Sequence, residues 1–143
     1  MTDYEVKKRI SYKGVTSDMQ RKFMIIGALM AMLSVAIGAF GAHMIKQSVG
    51  ETAMKVYETG VQYHMAHALG ILLIALAAGL WGDSRKLAWA GWLLLAGIIL
   101  FSGSLYLLTI TGIKSLGIIT PFGGVAFIAG WICLMAEAIT RKK

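Results

Sequence analysis

The stretch FMIIGALMAMLSVAIGAFGA, Phe23 to Ala42, contains no charged side chain. At about 1.5 Å per residue, a helix of that length covers a hydrocarbon core of about 30 Å. Three comparable runs follow, Tyr63 to Trp81, Leu87 to Thr109 and Pro121 to Ala138. The composition agrees: 57% of 143 residues are hydrophobic, 15% are charged, and mean hydropathy is +0.70. That is more apolar than an ordinary soluble domain. The expected fold is all-α: a polytopic membrane protein whose four transmembrane helices, about 23–43, 63–81, 87–109 and 121–138, form an antiparallel bundle.

Residues 1–22 read as a basic leader ahead of this domain, which fills 23–143. The leader carries Lys7, Lys8, Arg9, Lys13, Arg21 and Lys22, with a helix-start signal at Ser17-Asp18. It suits anionic lipid on the cytoplasmic face. The net charge of +7 does not point to nucleic acid, because the basic residues sit at the ends of apolar runs. Ala39-Phe40-Gly41 has the small-x-small form of a signal-peptidase site, but the apolar run exceeds a usual signal core, so it reads as a retained helix. The single cysteine, Cys133, lies inside an apolar run and reads as a packing group.

The connections differ in kind. Gly82 to Lys86 is a tight turn that makes its flanking helices antiparallel neighbours. Gly112 and Gly117 supply bends before the fourth run, and Thr120-Pro121 reads as its N-cap and first helical residue. In Met44 to Gln62, Met54, Tyr57, Val61 and Met65 recur at helical spacing, and Glu51 and Lys55 form an i,i+4 pair. A short amphipathic interfacial helix is expected there between spans 1 and 2, with Gly60 as a bend. Eleven of the fourteen lysines and arginines fall on one side of this topology, leaving Lys46, Lys55 and Lys114 on the other. Positive-inside counting puts both termini in the cytoplasm of a bacterial inner membrane. Small-xxx-small pairs such as Gly27/Ala31 and Ala126/Gly130 favour close helix packing.

Polar residues gather toward the non-cytoplasmic half. His43 closes the first span, His64 and His67 open the second, and Ser102, Ser104, Tyr106 and Thr109 lie toward the outer end of the third. Buried polar groups in a bilayer need partners and often mark function. One reading is a hydrogen-bond network fixing helix register. The other is a haem, metal or quinone site using the outer-side histidines, with His43 and His67 as the pair best placed for a haem or metal. No membrane-embedded acid supports a proton-coupled transporter in the first span, and Glu137 with Arg141 reads as a surface pair. Ser102-Gly103-Ser104 in mid-helix lacks the strained turn of a nucleophile, and no nucleotide motif is present.

Four motifs resemble the YgdD/YwdK-like family of small four-span inner-membrane proteins, which has a eukaryotic mitochondrial relative. They are Gly38-Ala39-Phe40-Gly41-Ala42-His43, Tyr57-Glu58-Thr59-Gly60-Val61-Gln62-Tyr63-His64 running on to His67, Leu100-Phe101-Ser102-Gly103-Ser104-Leu105-Tyr106, and Ile119-Thr120-Pro121-Phe122-Gly123-Gly124. The resemblance implies the four-span fold and a plasma-membrane location, and supplies no catalytic residue or cofactor. The expected function is therefore non-enzymatic: a membrane-integrity factor or an accessory subunit of a membrane complex. Its partners would be the lipid bilayer and a membrane-protein partner or a second copy. The alternatives are the histidine redox module and, in third place, a small transporter.

Overall fold

The computed structural model describes residues 16–141, so Lys7, Lys8, Arg9 and Lys13 of the leader lie outside the described residues, as do Lys142 and Lys143. Among the described residues all regular structure is helical, in four helices long and apolar enough to cross a membrane. Helix α1, Asp18–Ile45, is α-helical to Phe40 and closes in a π turn, Gly41–Ile45. Helix α2 is Glu51–Trp81. Helix α3, Arg85–Thr111, carries a π turn at Ile98–Ser102. Helix α4, Lys114–Thr140, opens with a 3-10 turn, Lys114–Ile118, and is α-helical from Thr120.

Local chemistry sets most boundaries. Ser17 caps α1 by accepting the Gln20 N–H at 3.0 Å, so the helix begins five residues before its uncharged run. Ser84 does the same for α3, accepting the Leu87 N–H at 3.1 Å. The chain reverses on Gly82 (φ 85°) after α2 and on Gly112 (φ 70°) after α3, backbone positions that L side chains resist. Thr120 is not the N-cap of the last helix. It is the first α-helical residue, and its hydroxyl bonds to Ser104 instead of the backbone.

The expected interfacial helix between spans 1 and 2 does not exist as a separate element. Glu51–Trp81 is one uninterrupted helix of 31 residues, roughly 46 Å long at 1.5 Å per residue. The reason is packing. The stripe Met54, Tyr57 and Gly60 continues without a phase break into His64, His67, Ala68 and Ile71, all buried. A single face thus packs on neighbouring helices over the whole length. Gly60 is a socket, not a bend: a Cβ there would stand 2.8 Å from Tyr106 Cε1.

Contacts fix an antiparallel arrangement. Gly79 of α2 meets Gln20 near the start of α1, while Tyr57 meets Gly41 at its other end. Gly70 and Gly130 both receive Leu94, and Gly123 lies against the Phe101 backbone. Helices α2 and α3 form the central pair; α1 flanks α2 and α4 flanks α3. Asp18 and Thr140 therefore lie at one end of the bundle.

An apolar core fills the half nearer the termini, built from Phe23, Ile71, Ile74, Leu87, Leu94 and Phe127 among others. A smaller cluster, Ile45, Met54 and Tyr57, fills the opposite half. Several aromatic rings sit over glycines, Phe23 on Gly91 and Phe127 on Gly97, where any Cβ would collide. The outside is apolar as well. Ile25, Val35, Leu80, Ile128 and Ile139 are all more than 60% exposed, a surface suited to acyl chains and not to water.

Candidate functional site

His64 and His67 lie near the middle of α2, while Tyr57, Ser104, Tyr106 and Thr109 lie toward the end of the bundle away from Asp18 and Thr140. Because α2 starts at Glu51, His67 lies sixteen residues from one end of it and fourteen from the other. The two histidines of α2 therefore sit at mid-depth and not at its mouth.

His64 is buried between α1 and α3. Its Nδ1 lies 3.2 Å from the Tyr106 hydroxyl. Its Nε2 is buried and has no hydrogen-bond partner among the described residues. Tyr106 in turn packs its ring over Gly60, 5.1 Å from the ring of Tyr57. Tyr57 donates its hydroxyl to the Ile37 carbonyl at 2.8 Å, where α1 approaches its π turn. One chain of contacts thus joins α1, α2 and α3.

His67 faces α4. Its Nδ1 lies 2.7 Å from the Tyr63 carbonyl, so that nitrogen carries the proton. The imidazole lies flat on Phe127, centroids 3.4 Å apart and planes 12° apart, with Trp131 at 6.0 Å. Aromatic packing holds this ring in place on the α4 side.

The α3 serines behave differently from one another. Ser104 Oγ donates to the Phe101 carbonyl at 2.9 Å and lies 2.7 Å from Thr120 Oγ1, tying α3 to α4. Ser102, in the π turn, is fully buried and its hydroxyl has no partner among the described residues. Thr109 donates to the Ala53 carbonyl at 3.3 Å. Ser34 is a residue that spacing did not single out. It is fully buried and donates to the Val61 carbonyl at 3.3 Å. The signal available was a lone hydroxyl in an otherwise apolar span.

His43 stands apart. It is exposed in the π turn that ends α1, beside Gly41, which meets Tyr57. Tyr57 precedes His67 by ten residues, roughly 15 Å along α2. Among the described residues His43 shares no hydrogen bond or ring contact with His64 or His67. Among the described residues no group of three or more His, Cys, Asp or Glu side chains is placed to hold a metal.

At the terminal end, Glu137 is buried instead of lying on the surface. Its Oε1 accepts from Arg141 Nε at 3.0 Å, and Arg141 reaches the Gly82 carbonyl at 3.4 Å. Lys86 donates to Thr140 at 2.6 Å. This clamp fastens the end of α4 to the α2–α3 turn.

An all-helical bundle with an apolar exterior and an interior of interhelical hydrogen bonds is a polytopic membrane protein. The family described as "Protein of unknown function (DUF423)" matches residues 37–124. The chain is 50% identical over 117 residues to the UPF0382 membrane protein YwdK of Bacillus subtilis, covering 82% of this chain and 95% of that one. It is 49% identical to UPF0382 membrane protein SH2409 of Staphylococcus haemolyticus over 79% of this chain and 91% of that one. The chain belongs to this family of membrane proteins, as the motifs around His43, His64 and Tyr106 implied. No solved structure matches it.

Proposed function

We propose that the protein is a non-enzymatic integral component of the bacterial cell membrane, with both termini cytoplasmic, acting as a membrane-integrity factor or an accessory subunit. One observation carries this reading. Ser34, Tyr57, Ser104, Tyr106, Thr109 and the Nδ1 atoms of His64 and His67 are all engaged in hydrogen bonds within the bundle. The bonds of Ser34, Tyr57, His64, Ser104 and Thr109 cross between helices and so hold them in register. The orientation draws support from the described cations: Arg21, Lys22, Arg85, Lys86 and Arg141 share the terminal end.

Two buried polar atoms, His64 Nε2 and Ser102 Oγ, have no partner among the described residues and favour a second reading, a site for a small polar guest. The two readings part in a deletion strain assayed for entry of a membrane-impermeant dye. A packing role predicts leakage that wild-type protein repairs and that His67→Ala repairs in proportion to its folded amount. A redox or ligand role predicts that folded His67→Ala or His64→Ala fails completely. A visible absorption band in purified protein, lost in either variant, would overturn the first reading.

A further inference from the structure

A lateral groove of about 430 Å³ opens on the outside of the bundle between the second half of α3 and the 3-10 turn of α4. Its walls are Ile99, Leu100, Gly103, Leu107, Leu116 and Ile119. Two hydroxyl-bearing residues, Ser104 and Tyr106, also border it, but their oxygens are engaged with Phe101, Thr120 and His64. The groove therefore presents apolar surface without a free hydrogen-bonding group from these two residues. Its volume falls within the roughly 300–1,000 Å³ typical of small-molecule sites.

Gly103 gives the groove its depth. A glycine inside a helix costs about 1 kcal/mol relative to alanine in water, and is usually retained where something approaches closely. The other glycines within α-helical or π segments meet a neighbour within 4 Å of where a Cβ would stand; Gly103 meets none. Among the described residues nothing fills the space beside it.

From this geometry we infer that the groove binds one acyl chain of an anionic phospholipid, with the headgroup beside Lys114. The groove lies on the outside of a helix long and apolar enough to cross a membrane, so an acyl chain is the occupant its surface fits. Leu107 and Ile99 lie eight residues apart on α3, so the groove runs roughly 12 Å along the helix, starting one turn short of its end at Thr111. The charge argument selects the headgroup. Lys114 is exposed in the same turn as Leu116, and it makes no ion pair among the described residues. A phosphate held there places its chain over Leu116 and Leu107, running down toward Ile99.

The test uses the full chain in mild detergent with equimolar phosphatidylglycerol and phosphatidylcholine, read by native mass spectrometry. Wild-type protein retains one phosphatidylglycerol in preference to phosphatidylcholine. Gly103→Leu fills the groove from its floor and lowers that retention at least ten-fold, with the thermal midpoint unchanged. Lys114→Gln keeps a lipid but loses the headgroup preference. Unchanged retention in a folded Gly103→Leu variant overturns the inference. So does equal retention of the two lipids by wild type, or conversion of a wild-type dimer to monomer by Gly103→Leu, which would make a second copy the occupant. Should Gly103→Leu fail to fold, Leu107→Trp blocks the groove from its exposed rim and carries the same criteria.

Discussion

The same substitution at two glycines of the α3–α4 region is expected to act in opposite senses. An alanine Cβ at Gly123 stands 2.7 Å from Phe101 Cα, which is backbone and cannot rotate away. The Phe101 backbone N stands closer still, so to regain a contact of 3.4 Å the two helices must part by about 1 Å. A gap of that size forfeits a quarter to a half of the dispersion energy of the atoms it separates. The contacts at risk include Phe127 over Gly97, Leu94 against Gly130 and the Ser104–Thr120 bond. Overpacking of this kind costs about 1–3 kcal/mol, and a backbone clash belongs at the upper end. At Gly103 a Cβ meets nothing within 4 Å, so Gly103→Ala removes backbone freedom without collision and is neutral or stabilising by up to about 1 kcal/mol. Reversible unfolding in micelles, followed by the helical signal against denaturant, measures both. A Gly123→Ala variant as stable as wild type would refute the packing argument. A destabilised Gly103→Ala would show that something already fills the space beside it.

Further outcomes follow from the polar interior. Tyr106→Phe leaves His64 Nδ1 without its partner, and a double-mutant cycle with His64→Phe should give a coupling of about 0.6–1.7 kcal/mol. Ser104→Ala removes the bond to Thr120 and should lower stability by about 1 kcal/mol, while Thr111→Ala, at an exposed helix end, should change it little. Glu137→Gln weakens the clamp by the low end of about 1.5–3 kcal/mol, since Arg141 is partly solvated; hydrogen exchange at the end of α4 should rise first. For orientation, a membrane-impermeant thiol reagent should label Ser115→Cys in intact cells and Asp83→Cys only after permeabilisation, in a Cys133→Ser background.

Much of the architecture is readable along the chain. Uncharged runs of spanning length, Ser17 before the first of them and Gly82-Asp83-Ser84 between two others all carry local meaning, and each is found in its expected role. Where reading along the chain failed, the deciding partner was distant. Met54, Tyr57 and Val61 have the spacing of an interfacial helix, but the same periodicity serves a face buried under α1 and α3. Thr120 has the chemistry of an N-cap, yet Ser104, sixteen residues earlier, takes its hydroxyl.

Sequence alone determined that the chain is a four-helix membrane protein, because segment length and hydropathy are properties of each run and need no neighbour. The tertiary structure decided how deep the histidines sit, which of them meet Tyr106 or Phe127, and that His43 meets neither. Those outcomes depend on where α2 begins and on how rings settle over glycines of other helices. Spacing within one helix specifies a face, and only packing against the next helix specifies what that face touches.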